Sequence, residues 1–200
     1  MKPIKISEIF YSIQGEGFHT GTPAVFIRTA GCNLACDFCD TDFSLTRKMS
    51  IEDILKFIAP FPARYIILTG GEPTLQASSL ANLVTALHQK KYFVALETNG
   101  TSLVTFNVDW ITVSPKIANR GKWLLKKGNE LKLLYSSQDL SFFENSQFDH
   151  FFLQPIEIKT KAGKRDEKET HKQIEKTIKA VKENPKWKLS IQLHKEIGIK

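Results

Sequence analysis

The hydrophobic pattern predicts an α/β fold with a mostly parallel sheet, curled into an incomplete (partial) TIM-like (β/α) barrel, on three observations. The apolar runs are short and several are nearly continuous Val, Ile, Leu and Phe, the composition of strands buried on both faces. Helical periodicity recurs between the runs, which makes the alternation βα. Only some consecutive runs are separated by a convincing helix, so the barrel is expected to remain partly open rather than close as an eight-fold one.

In chain order the predicted strands are Lys5–Ser12, Ala24–Thr29, Tyr65–Thr69, Phe93–Thr98, Trp110–Ser114, Leu131–Tyr135, Phe151–Gln154 and Leu189–Leu193. Predicted helices cover Ser50–Ala59, where Ser50 and Asp53 suit a capping box, then Ser79–Lys91, Gln138–Asn145 and Glu167–Glu183. Pro155–Lys168 reads as an exposed loop, and His194–Lys200 as a short tail.

With 200 residues, 42% hydrophobic and 24% charged, the chain suits one domain over residues 1–200. It has no run of 18 apolar residues, and MKPIKISEIF lacks the features of a secretory signal, so a cytoplasmic protein without a membrane partner is expected. Most of the +7 net charge lies between Lys159 and Lys188. That region reads as an amphipathic helix with a solvated Lys/Glu face. Trp187 is the one aromatic there, so no stable nucleic-acid partner is expected.

All three cysteines fall within eight residues, too close together to staple distant parts of a fold. The spacing Cys32-x3-Cys36-x2-Cys39 lets three thiolates converge on one face of a cubane iron–sulfur cluster and leaves the fourth iron without a local ligand. An open iron of that kind is chelated well by the amino and carboxylate groups of S-adenosylmethionine (SAM). Structural zinc is the competing reading. It wants four ligands, and His19 or a distant His would have to supply the last. Further on, Gly70-Gly71-Glu72-Pro73 ends the predicted strand Tyr65–Thr69. Glycines there permit close backbone approach, strand-end carbonyls accept from an ammonium, and Glu72 can support the loop.

With this cysteine loop and the GGEP stretch, the sequence resembles the radical SAM superfamily. Within it, the stretch Ser12-Ile13-Gln14-Gly15-Glu16-Gly17 and the segments Phe26-Ile27-Arg28, Glu97-Thr98-Asn99-Gly100, Ser114-Pro115-Lys116 and Gln154-Pro155-Ile156-Glu157 resemble the 7-carboxy-7-deazaguanine synthase family nearly end to end. The resemblance implies a [4Fe-4S] cluster on Cys32, Cys36 and Cys39, and SAM against Phe38, Asp40, Gly71, Glu97, Ser114, Lys116, Gln154 and Glu157. It implies a pterin substrate against Ile13, Gln14, Gly15, Glu16, Arg28 and Thr69, and Mg²⁺ at Thr41. A carboxylate such as Glu16 suits the N–H donors of a pterin's amidine edge, and the planar fork of Arg28 suits its carboxylate, with a plain Glu16–Arg28 salt bridge as the structural alternative. Leu193 replaces the Thr usual before the family's His, so His194 is not assigned catalysis.

The activity implied is conversion of 6-carboxy-5,6,7,8-tetrahydropterin to 7-carboxy-7-deazaguanine with loss of ammonia, a lyase step toward 7-deazapurines such as queuosine. Reductive SAM cleavage would give a 5′-deoxyadenosyl radical that takes the C6 hydrogen, after which the ring contracts and SAM is regenerated. An external one-electron reductant such as flavodoxin and a homodimer are implied as well. The rival within the superfamily is a glycyl-radical activating enzyme, whose substrate is a protein partner; the SIQGEG stretch and Arg28 argue for a small polar substrate instead.

Overall fold

The computed structural model describes residues 2–36, 38–39, 46–116 and 122–200. Among these residues a nine-stranded sheet runs in the order β3-β1-β2-β4-β5-β6-β7-β8-β9. Its strands are β1 (Ile4–Ile13), β2 (Pro23–Thr29), β3 (Arg47–Met49), β4 (Tyr65–Gly70), β5 (Phe93–Thr98), β6 (Trp110–Val113), β7 (Lys127–Tyr135), β8 (Gln147–Pro155) and β9 (Lys188–Leu189). From β2 through β9 every pairing is parallel, while β1 is antiparallel to both β2 and β3. With β3 and β9 as edges the sheet stays open, as the missing helices predict.

Helices α1 (Ile51–Ile58), α2 (Ala77–Gln89), α3 (Ser141–Glu144), α4 (Glu167–Glu183) and α5 (Leu193–Glu196) accompany it, with a 3-10 turn at Pro73–Gln76. The capping box is present: the Asp53 N–H donates to Ser50 Oγ at 3.1 Å and the Ser50 N–H to Asp53 Oδ2 at 3.3 Å. Among the described residues no helix is long and apolar enough to cross a membrane.

Alternation along the central strands decides what each face carries. On β4, Ile66 and Leu68 pack outward with Ile54, Ile58, Leu80, Leu83 and Leu87 of α1 and α2. Ile67 points the other way, joining Ala24, Phe26, Tyr65 and Ala95 inside the curl. On β7, Leu131 and Leu133 pack with Ala180 and Trp187 on the outer side. The intervening Glu130 and Lys132 are therefore turned inward, although both are almost fully buried.

The connection from Gln14 to Thr22 forms a floor beneath the parallel strands. Phe18 stacks on Trp110 and His150, and His19 packs on Tyr65, Phe93 and Trp110, of which Tyr65, Phe93 and Trp110 open β4, β5 and β6. His19 thus lies at the opposite end of the strands from Cys32, which follows β2, and is unavailable as a fourth zinc ligand there.

Three expectations are corrected. Helix Gln138–Asn145 shrinks to Ser141–Glu144, because β8 already begins at Gln147 opposite Lys127 and leaves room for one turn. Strand Leu189–Leu193 stops at Leu189: the Ser190 N–H still reaches the Leu153 carbonyl at 2.9 Å, but its hydroxyl accepts from Gly17 and the Gln192 side chain turns to Glu16. The stretch from His194 to Lys200 is not a loose tail: it includes most of α5, and Lys200 pairs with Glu8 while its carbonyl accepts from Ser12 Oγ. Short β3 was missed; three residues at an edge carry too little pattern to be read.

Ile66 is fully buried between the sheet and α1 and α2. Ile66→Ala is expected to cost about 2–5 kcal/mol of stability through the cavity it leaves, read as a lowered urea midpoint; an unchanged midpoint would contradict this packing.

Candidate active site

The loop after β2 and the ends of β4 to β8 enclose a chamber of about 1080 Å³ including its open mouth. Cys32, Cys36, Phe38 and Cys39 form one wall, and Gly70, Gly71, Glu97, Ser114, Lys116, Gln154 and Glu157 face it. This is the C-terminal end of a parallel sheet, where loops of this fold class gather their reactive groups.

Close backbone approach fixes the cysteine loop against the GGEP turn. The Gly71 N–H donates to the Thr29 carbonyl at 3.1 Å and the Glu72 N–H to the Gly31 carbonyl at 2.9 Å. A side chain on Gly71 would place its Cβ 1.9 Å from that Gly31 oxygen, so only glycine fits. Below the turn, the fully buried Glu72 accepts from Thr74 N–H at 3.1 Å, Thr98 Oγ1 at 2.7 Å and Asn99 N–H at 2.7 Å. Asn99 Nδ2 donates to Asn33 Oδ1 at 3.0 Å, and Asn33 Nδ2 to Thr101 Oγ1 at 2.8 Å. One network therefore holds the cysteine loop and the ends of β4 and β5.

A second chamber, about 1430 Å³ with its mouth, lies on the β1–β2 side and is lined by Ile13, Gln14, Gly15 and Arg28, among others. Glu16, Thr69, Gly70, Glu97, Gln192 and Lys195 line both chambers and form the wall between them. In this wall Glu97 accepts from Gln14 Nε2 at 3.0 Å and Thr69 Oγ1 at 2.9 Å. Glu16 is paired with Lys132 through Oε2, and its Oε1 accepts from Gln192 Nε2 at 2.8 Å. Arg28 lies 3.9 Å from Glu8 and over the Phe10 ring. The alternative Glu16–Arg28 salt bridge gives way to these two separate arrangements.

Electrostatics follow from the burial of these charges. Burial by itself would raise the Glu16 carboxyl, but the Lys132 charge, hydrogen bonds from Lys132 and Gln192 and the charge of His194 hold it down at about 2. Burial opposes the Lys132 charge too, yet Glu16, Glu97 and Glu130 raise it above the ordinary lysine value. Glu130 is pushed up by burial, against the pull of Lys132 and of the Phe18 N–H, which bonds Oε2 at 3.0 Å. Burial and the Lys132 charge bring Lys116 down to about 8, and its Nζ donates to the Ser114 carbonyl at 2.9 Å.

The structure thus brings together the predicted Ile13, Gln14, Gly15, Glu16, Arg28 and Thr69 around one chamber, and Phe38, Gly71, Glu97, Ser114, Lys116, Gln154 and Glu157 with the cysteines around the other. Asp40 and Thr41 lie outside the described residues. Sequence reasoning assigned no role to Lys132, Gln192 or Lys195. The signal for Lys132 was a lysine two positions after Glu130 inside an otherwise apolar run, a period-two pair that has to face inward. Gln192 was read as part of a strand, and Lys195, which meets Glu157 at 3.3 Å across the mouth, as part of a tail.

The donor set fits the implied cluster. Three thiols, none in a disulfide, line one open chamber, a soft sulfur set that suits iron–sulfur ligation. Among the described residues no three His, Cys, Asp or Glu side chains are already gathered as around a metal ion, so the fit rests on donor chemistry and placement. Burial pushes the Cys32 thiol up, against the Leu34 N–H that bonds its sulfur at 3.4 Å; coordination to iron reverses that sign.

Comparison with known proteins agrees with this geometry. Residues 26–132 match the model of the radical SAM superfamily. The chain is 43% identical to the 7-carboxy-7-deazaguanine synthase of Bacteroides thetaiotaomicron, covering 98% of both proteins, and 38% identical to that of Neisseria meningitidis, covering 98% of this chain and 93% of the relative. The crystal structure of QueE from Escherichia coli is similar at a TM-score of 0.74 and 28% identity, over 96% of this chain and 94% of that one.

Gly71→Ala is expected to force the GGEP turn away from the cysteine loop. SAM cleavage by the reconstituted protein should fall by at least about 10-fold, the effect of roughly 1.4 kcal/mol of misplacement, while the core stays folded by circular dichroism. Normal SAM cleavage would show that the contact is not required.

Proposed function

The chain belongs to the 7-carboxy-7-deazaguanine synthase family of the radical SAM superfamily, and from that membership we propose that it converts 6-carboxy-5,6,7,8-tetrahydropterin to 7-carboxy-7-deazaguanine, releasing ammonia. The observation that carries this reading is the shared wall: two chambers meet at Glu16, Thr69 and Glu97, so a cofactor in one and a substrate in the other would sit in contact. Substrate less ammonia is the product, so the reaction needs no net oxidant.

When bound, the cluster and SAM supply a carbon radical able to take a hydrogen atom from a C–H bond. The chain's own task is to bind and orient, which alone accounts for large rate effects when reacting atoms are held in line. Cys32, Cys36 and Cys39 would hold the cluster, Phe38 would pack on the adenine, and Gly71, Ser114, Lys116, Gln154 and Glu157 would meet the rest of SAM. Glu97 spends one acceptor site per oxygen on Gln14 and Thr69 and keeps others for ribose hydroxyls. Because those same two donors would contact substrate, Glu97 ties cofactor position to substrate position.

In the second chamber Glu16 would accept from the pterin's amidine edge and Arg28 would take its carboxylate, with Ile13, Gln14, Gly15 and Thr69 completing the contacts. Mg²⁺ at Thr41 belongs to the same reading. Thr41 itself lies outside the described residues. The proposal extends to one working domain over residues 1–200, an external one-electron reductant such as flavodoxin, and a cytoplasmic homodimer. A glycyl-radical activating role finds no relative among those compared above, all of which carry the synthase or QueE name.

The test is anaerobic reconstitution with iron and sulfide, then SAM, a reductant, Mg²⁺ and the pterin, following product by mass. Expected is 7-carboxy-7-deazaguanine, lost when Cys32, Cys36 or Cys39 becomes Ala. SAM cleavage without pterin turnover would retain the superfamily and discard the substrate.

A further inference from the structure

We propose that Lys132 is a positioning residue: its buried ammonium anchors the Glu16 carboxylate opposite Gln192 in the wall between the chambers, and so commits the site to a substrate edge that presents N–H donors. The inference deepens the proposed function and rests on it.

Lysine is almost never buried unless paired, and Lys132 is 6% exposed. An apolar side chain of similar volume would fill the same place on β7, where Leu131 and Leu133 flank it, at no desolvation cost. The ammonium has three donors, and Glu16 takes one. Lys132 and Gln192 each engage one oxygen of Glu16, which fixes the plane of the carboxylate. The remaining acceptor sites then serve both chambers that Glu16 lines.

The charge matters because Glu16 has other carboxylates nearby. Facing this wall are Glu97 from β5, Lys116 beyond β6, Glu130 and Lys132 from β7, and His194 and Lys195 from the C-terminal segment. Without Lys132, burial and the neighbouring Glu130 favour a protonated Glu16, whose O–H would confront the N–H donors it is meant to accept from. With Lys132 present, Glu16 stays ionised down to about pH 2. Its acceptor role is therefore kept throughout the mildly acidic range, and in a Lys132 variant it is lost as pH falls.

The experiment uses the cluster-reconstituted enzyme with SAM, reductant and pterin across a pH series, comparing wild type, Lys132→Met, Lys132→Arg and the neutral pair Lys132→Met/Glu16→Gln. In Lys132→Met, KM for the pterin should rise roughly 100-fold at neutral pH and recover as pH is raised, giving an acid limb in kcat/KM that wild type lacks. Lys132→Arg should restore most of the affinity. Cluster absorbance should be unchanged in all of them. If Lys132→Met does not fold, the neutral pair removes the unpaired charge and is read instead: a raised KM without pH dependence is expected. An unaltered KM and pH profile in Lys132→Met, or a wild-type KM in the neutral pair, would overturn the inference alone. A wild-type enzyme that leaves the pterin untouched overturns the proposed function and this inference with it.

Discussion

A carboxylate buried without solvent has to collect donors from wherever the chain brings them, and Glu72 collects them from the loops after two adjacent strands. By accepting from Thr74, Thr98 and Asn99 it joins the ends of β4 and β5. Through Asn99 and Asn33 the same network reaches the cysteine loop. Everything on the upper end of the sheet is positioned relative to this joint: the Gly31–Gly71 contact above it, the cysteines beyond, and Glu97 just before Thr98. Hydrogen bonds to a charged, buried acceptor are the costly ones to leave unmade, which makes such a joint stiff.

An open sheet leaves an interior that helices do not cover. Here the chain fills it with its own ends. The floor from Gln14 to Thr22 carries aromatic rings under the strands and sends Gln14 and Glu16 up into the interior. The C-terminal segment then meets that floor: the Leu193 N–H donates to the Gly15 carbonyl at 2.9 Å, Ser190 Oγ accepts from Gly17, and Gln192 reaches Glu16. Residues nearly 180 positions apart therefore make one wall. The interior changes from apolar at the bottom, around Phe26, Tyr65 and Ile67, to polar higher up, around Thr69, Glu97 and Lys132, which is the gradient a site for polar ligands requires.

That polar wall explains why charges are tolerated in it. Glu16, Glu97 and Glu130 would repel one another in a dry interior, and Lys132 sits among them as the compensating cation. Lys116, without so close a carboxylate partner among the described residues and sharing the wall with Lys132, responds in the opposite sense and is drawn below the ordinary lysine range.

The sequence by itself determined the α/β class, the strand cores from Ala24 to Leu153, the capping box at Ser50, and the two local groupings whose chemistry is written in consecutive residues, the cysteine loop and the GGEP turn. Those features depend on periodicity, close backbone approach and ligand type, all of which act over a few residues. Only the tertiary structure decided that Glu16 pairs with Lys132 rather than Arg28, that Gln192 leaves its strand to hold Glu16, and that the last residues close the wall instead of trailing from it. These depend on which distant segments the curl of an open sheet brings together, and a carboxylate's choice of partner is settled by distance and burial, neither of which is written in the spacing of residues along the chain.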